Sequence, residues 1–228
     1  MISVMKTTML TLILAGFAAS ALAVDKAELD NRIRTLTAKF EAMQAKSDKA
    51  VPAENLRKAK GIVLLDRTKG GFIFAYQGGG GVALVKDAKT DKWSPAAFLT
   101  ANEASLGFQI GGEQSFFVIL LMTTNSTRML IDQNIEFGGE ARGTAGSGSA
   151  GEGANFSAPE ANFLIYSDRK GLYGGAAIKG GALSPDDNAN NTYYEKAVSL
   201  KEILFDKKVK VSAPTTELAR KLTEQSKR

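Results

Sequence analysis

The sequence predicts an α+β fold: a curved, antiparallel, glycine-rich β-sheet or barrel, with helices at the N- and C-termini. Three observations lead there. From Gly61 to about Gly181 the apolar residues fall in short runs separated by glycine or charged turns, the signature of consecutive strands. On either side of that region the apolar spacing changes to a helical one. Within it, one pattern occurs twice: shifted by 101 positions, Lys69-Gly70 falls on Lys170-Gly171, Phe72 on Tyr173, Gly79-Gly80 on Gly180-Gly181 and Val82 on Leu183. Each copy reads as an apolar strand (Ile62–Leu65, Phe163–Tyr166), a Lys-Gly turn and a glycine-rich strand.

In chain order, residues 1–23 read as a cleaved export signal. Lys6 is the positive start, Met9–Ala19 the apolar stretch and Ala21-Leu22-Ala23 the small-x-small cleavage site. The stretch is short for a bilayer span. Residues 24–50 carry an amphipathic helix over 25–46, with Leu29, Ile33, Leu36, Phe40 and Met43 at spacings of 4, 3, 4 and 3, and with Asp25 and Glu28 placed to cap it. Residues 51–228 form the main domain. Pro52 opens a short helix over about 53–59 that ends in the basic cluster Arg57, Lys58 and Lys60.

Strands follow at Gly61–Asp66, Gly71–Gln77 and Val82–Lys86, then a polar loop at Ala88–Trp93. Ser105–Ile110 and Ser115–Met122 read as a hairpin, and the apolar run Phe116–Met122 suits a strand covered on both faces. Thr124–Gln133 is a short helix or turn, and Ile135–Ala141 and Phe163–Tyr166 are further strands. Between these two lies Gly143–Ser157, small and polar in composition like a flexible loop. Helices return at Ser199–Phe205 and from Pro214 on, where Leu218 and Leu222 share a face. The core is expected to be single and closed, burying Ile62, Leu64, Phe74, Val118, Leu120, Ile165 and Ile178.

Composition limits the chemistry. The chain has no His and no Cys. Histidine-based acid/base catalysis, histidine- or cysteine-activated nucleophiles, the usual zinc sites and disulfides are therefore all excluded. No cysteine also means no acyl anchor. Asp186-Asp187-Asn188 has some likeness to a calcium loop but lacks the closing Glu, and is read as a polar turn. Gly78–Gly81 lacks the Lys-Ser/Thr of a phosphate loop. Nothing selects a catalytic pair among the acids. No metal, cofactor or catalytic residue is expected.

Charge is distributed unevenly. Residues 24–60 hold nine Lys/Arg and six Asp/Glu, residues 61–192 ten and thirteen, and residues 193–228 nine and five. Basic ends thus flank a mildly acidic middle, which points to an anionic surface as partner or, more plainly, to solvated helix faces. Export argues against nucleic acid. Trp93, the only Trp, reads either as core or as an interfacial anchor.

The segment Ser167–Leu183, SDRKGLYGGAAIKGGAL, together with Asn190-Asn191-Thr192-Tyr193-Tyr194, resembles the C-terminal signature of the SYLF lipid-binding domain family. Ala59-Lys60-Gly61-Ile62, Trp93-Ser94-Pro95 with Ala97-Phe98, Ala104–Gly111 and Phe137-Gly138-Gly139 resemble its earlier motifs in the right order, so the likeness spans about Pro52–Tyr194. The central motif departs slightly, with Pro95 directly after Ser94.

The resemblance implies non-enzymatic binding of anionic phospholipid or a membrane surface by an exported domain, periplasmic or secreted and peripherally membrane-associated. The implied contact set comprises the helix Asp25–Met43 and the bases Arg57, Lys58 and Lys60. Arg67, Lys69, Arg169 and Lys170, on the two Lys-Gly turns, join them as candidates facing an anion. Actin, bound by eukaryotic members of that family, is not expected as a partner of an exported chain. The alternatives are a self-associating homo-oligomeric scaffold of the cell envelope, joined through the amphipathic helix, and a carboxylate-based hydrolase.

Overall fold

The computed structural model describes residues 24–67, 78–102, 115–131, 135–137, 162–168, 171–172 and 181–228. The export signal, the strand Gly71–Gln77, the run Ser105–Ile110, the loop Gly143–Ser157, and the core candidates Phe74 and Ile178 lie outside them.

The first helix, α1 (Lys26–Gln44), starts where the sequence places it: the Asp25 carboxylate accepts from the Glu28 N–H at 2.7 Å. Its stripe Leu29, Ile33, Leu36, Phe40 and Met43 is fully buried. Gln44 clasps the chain beyond, accepting from the Val51 N–H at 2.7 Å and donating to the Val51 carbonyl at 3.2 Å. This aims the chain into α2 (Ala53–Lys58), with Pro52, extended at φ −57° and ψ 135°, at its N-cap.

Eight strands then build one antiparallel sheet. They are β1 (Gly61–Arg67), β2 (Gly78–Val85), β3 (Ala97–Asn102), β4 (Ser115–Leu121), β5 (Ile135–Phe137), β6 (Phe163–Ser167), β7 (Gly171–Leu172) and β8 (Gly181–Pro185), in the order β5-β8-β3-β2-β1-β4-β6-β7. Among the described residues the sheet is open, with β5 and β7 at its edges, so the expected closure is not found.

Both faces of the sheet are covered. Ile62, Leu64, Val82, Leu84, Phe98, Val118, Leu120 and Tyr166 face α1, α2, α4 (Asp187–Tyr194) and α6 (Ala213–Gln225). The alternate positions Val63, Leu65, Ala83, Leu99, Phe117, Ile119 and Ile165 face α5 (Leu200–Leu204) and Leu130, which follows α3 (Thr124–Arg128). The result is three layers, helix–sheet–helix, and it explains why β1 and β4 read as unbroken apolar runs. Ile62, Leu64, Val118, Leu120 and Ile165 are buried as the sequence predicts.

Three strand assignments change. Gly78–Gly81, read as a turn before Val82, is the first half of β2. A Cβ on Gly81 would stand 2.6 Å from the Leu64 carbonyl oxygen, so only glycine lets β2 lie this close to β1. Over Phe117–Leu121, β4 is flanked by β1 and β6, which leaves no edge there for the hairpin predicted with Ser105–Ile110. The internal repeat is only partial. β1 and β2 form the expected hairpin, with Leu64 opposite Val82. In the second copy β6 pairs with β7, while β8 crosses to β3 and β5, with Leu183 opposite Ala101 and Ile135.

Candidate functional site

Most of the sequence motifs prove to hold the fold together. In Trp93-Ser94-Pro95, the Ser94 hydroxyl accepts from the buried Val85 N–H at 3.0 Å and donates to the Pro95 carbonyl at 2.8 Å. In Asn190–Tyr194, the Asn190 amide stands in for a strand neighbour of β3. Its Oδ1 accepts from the Phe98 N–H at 2.8 Å and its Nδ2 donates to the Phe98 carbonyl at 3.0 Å. Tyr193 packs edge-on against the Phe98 ring at 4.9 Å and shares its hydroxyl with Asp30 and Ser212, each at 2.6 Å. The Tyr194 hydroxyl donates to the Ala96 carbonyl at 2.5 Å. Burial, with the Asp30 contact second, pushes Tyr193 up to about 12, and burial raises Tyr194 as well. Asp186 is the N-cap of α4, accepting from the Ala189 N–H at 3.1 Å, and accounts for the calcium-like triplet.

The basic cluster Arg57, Lys58 and Lys60 is exposed at the C-terminal end of α2. Lys86, at the end of β2, holds that end in place: its ammonium donates to the Leu56 carbonyl at 3.2 Å and to the Arg57 carbonyl at 3.1 Å. The same ammonium lies 5.0 Å from the centre of the Trp93 ring, a cation–π contact. Burial pulls Lys86 below the ordinary lysine value; Asp91 opposes this and the nearby Lys60 charge adds to it. Trp93 is half-buried, packed against the core and in contact with the Lys86 ammonium.

Within the cluster Lys58 is paired with Glu54 at 2.6 Å, one helical turn away, and this pairing lowers the Glu54 carboxyl. Arg57 and Lys60 have no carboxylate partner among the described residues; Arg57 Nη1 instead donates to the Ser226 carbonyl at 3.2 Å. Of the other candidates, Arg67 closes β1, and Lys69, Arg169 and Lys170 lie outside the described residues.

The apolar stripe of α1 does not belong to an exposed site. It packs on the sheet and on α6, whose Leu218 and Leu222 are fully buried. Among the described large apolar residues only Val211 is exposed, at half its surface. No described helix is long and apolar enough to cross a membrane. No three His, Cys, Asp or Glu among the described residues are grouped as a metal site would require. Sequence reasoning missed Lys86; its signal is a lysine next to a strand end, opposite the one Trp.

Fold and motifs together define a helix-flanked antiparallel α+β domain of the SYLF class. A family model described as "Ysc84: Las17-binding protein actin regulator" matches residues 102–225, and the chain belongs to this Ysc84/SYLF family. LAS seventeen-binding protein 3 of Saccharomyces cerevisiae (strain ATCC 204508 / S288c) is 30% identical over 163 residues, 69% of this chain and 35% of that protein. Protein YSC84 of the same strain is 30% identical over 179 residues, 76% of this chain and 38% of that protein. SH3 domain-containing YSC84-like protein 1 of Homo sapiens is 29% identical over 160 residues, covering 69% of this chain and 46% of that protein. The chain thus spans between a third and a half of the length of these relatives.

Proposed function

We propose that this domain is a non-enzymatic binder of anionic phospholipid at a membrane surface, acting through the bases at the end of α2. The observation that carries this reading is the arrangement there. Arg57 and Lys60 stand exposed with no carboxylate partner among the described residues, and Lys58 has one partner that is itself exposed. Lys86 and Trp93 fix the helix end beneath them. A chain without His or Cys has few routes to catalysis, which favours binding over chemistry.

With the α1 stripe and the core apolar residues buried, contact is electrostatic adsorption rather than insertion of an apolar wedge. Binding should therefore fall steeply with salt, since exposed charges are screened beyond about 8 Å at physiological ionic strength. The same burial weakens the self-associating scaffold, because its intended surface is occupied within the domain.

Residues 1–23 are read as an export signal, placing the mature domain in the periplasm or outside the cell. Mass spectrometry of the secreted product tests this; a retained Met1 would refute it. The family description names actin regulation, and the two yeast relatives' names concern Las17 and YSC84. For an exported chain we do not carry actin over.

The test of the main reading is co-sedimentation with phosphatidylcholine vesicles, with and without phosphatidylglycerol. The triple variant Arg57→Glu, Lys58→Glu, Lys60→Glu should lose most of its binding to the anionic vesicles. Unchanged binding would place the surface elsewhere.

A further inference from the structure

The two basic ends of the sequence are separated by an acidic middle, yet the fold brings them together. α1 and α6 run side by side in the same direction: near their starts, Asp30 and Ser212 share the Tyr193 hydroxyl, and further along Lys221 pairs with Glu41. Buried Leu218 and Leu222 fix α6 against the same core as the α1 stripe. This delivers the end of α6 to the end of α2, where Arg57 meets the Ser226 carbonyl across 169 positions of sequence.

The next two residues are Lys227 and Arg228, both exposed. Their backbone lies within roughly 4–8 Å of that contact by chain geometry alone. The last turn is kept wound by the Ser226 N–H donating to the Leu222 carbonyl at 3.1 Å and the Lys227 N–H to the Glu224 carbonyl at 3.2 Å.

The acids nearby do not neutralise these bases. Glu217 is engaged by Arg220 at 2.5 Å and more distantly by Lys221, and Glu224 is engaged by Arg220. Lys227 and Arg228, like Arg57 and Lys60, have no carboxylate partner among the described residues. Part of the placement serves the two helix C-termini, whose carbonyl ends favour cations. That need is met at α2 by Lys86 already, and it gives no reason to converge two helix ends with their bases. Converging like charges is unfavourable, and the Lys60 charge already depresses Lys86.

We propose that the end of α6 supplies the second half of the anion-binding surface, so that Lys227 and Arg228 act with Arg57, Lys58 and Lys60 on the anionic headgroups of one bilayer. The inference rests on the proposed function and deepens it: the surface is bipartite, and it exists only while α6 is docked on α1. Its width, set by two helix ends side by side, suits several headgroups of a membrane rather than a single phosphate.

The experiment uses the full chain and phosphatidylcholine vesicles with and without phosphatidylglycerol, with Trp93 fluorescence as a second readout. Three proteins are compared: wild type, the double variant Lys227→Glu/Arg228→Glu, and a control, Lys196→Glu/Lys210→Glu. The control carries the same change in net charge on two exposed bases in the chain between α4 and α6, outside the contact set. At about 1 kcal/mol per surface base, the double variant should bind anionic vesicles at least about tenfold more weakly. Its melting temperature should be unchanged, and the control should stay within about threefold of wild type.

Wild-type binding that the double variant retains would overturn the bipartite surface while leaving the proposed function standing. Equal weakening by the control would also overturn it, since net charge alone would then explain the effect. A wild type that ignores anionic vesicles would refute the proposed function itself. A Trp93 signal with inorganic tripolyphosphate but none with vesicles would overturn the membrane assignment in favour of a soluble anion.

Discussion

Replacing Asn190 with alanine removes a side chain that behaves as a piece of β-sheet. Asn190 is fully buried, and its amide closes both hydrogen-bonding positions of Phe98 at the point where β8 stops pairing with β3. The Phe98 carbonyl keeps a second partner, the Asp186 N–H at 3.0 Å. The Phe98 N–H has no other partner among the described residues, and alanine leaves it buried and unsatisfied.

An orphaned buried donor costs about 1–3 kcal/mol, and the lost bond to the still-satisfied carbonyl about 1 kcal/mol more. The expected loss is therefore about 2–4 kcal/mol, or roughly 4–16 °C in Tm for a domain of this size. Urea unfolding followed by circular dichroism measures it. Asn190→Asp adds a sharper check: the carboxylate keeps the acceptor but turns a charge toward the Phe98 carbonyl, whereas the protonated acid restores a donor. That variant should close part of its gap to wild type as pH falls. An Asn190→Ala loss under about 1 kcal/mol, or an Asp variant with no pH-dependent recovery, would refute this role.

Three further outcomes follow from the same packing. Gly81→Ala places a Cβ 2.6 Å from the Leu64 carbonyl oxygen; overpacking of about 1–3 kcal/mol exceeds the ~0.4–1 kcal/mol gained from a stiffer unfolded chain, so urea midpoints should fall. Phe40→Ala in the buried α1 stripe should cost about 3–5 kcal/mol, measured the same way; a neutral result would mean that α1 is not part of the core. Because burial raises Tyr193 to about 12 while an unfolded tyrosine titrates near 10, the unfolded chain sheds this proton first. Stability is then present in full below about pH 10 and is lost as pH rises through about 12, and Tyr193→Phe should shallow that alkaline slope in a series of urea melts.

What the sequence made legible were the elements whose local pattern and tertiary role agree. The 4-3-4-3 stripe of α1, its Asp25 cap and the apolar run of β4 each carry their own signal and are found in place. α4 was missed because Asp-Asn-Ala-Asn-Asn-Thr-Tyr-Tyr is poor in helix formers; capping by Asp186 and the anchoring of Asn190 and Tyr193 outweigh propensity there. β3 was missed because its neighbourhood reads as a Trp-Ser-Pro turn, and one of its partners is a side-chain amide, invisible to periodicity. At the site, Arg57, Lys58 and Lys60 were legible as a charge cluster. That Lys227 and Arg228 reach the same end was not, since it depends on the parallel docking of α6 against α1.

Binding of the full chain to vesicles across a salt series separates the proposed electrostatic adsorption at the end of α2 from insertion into the bilayer. Sedimentation should rise with the phosphatidylglycerol fraction, vanish on pure phosphatidylcholine and fall steeply as salt is raised. Equal binding to neutral and anionic vesicles, or binding to anionic vesicles that does not respond to salt, would rule out an electrostatic surface.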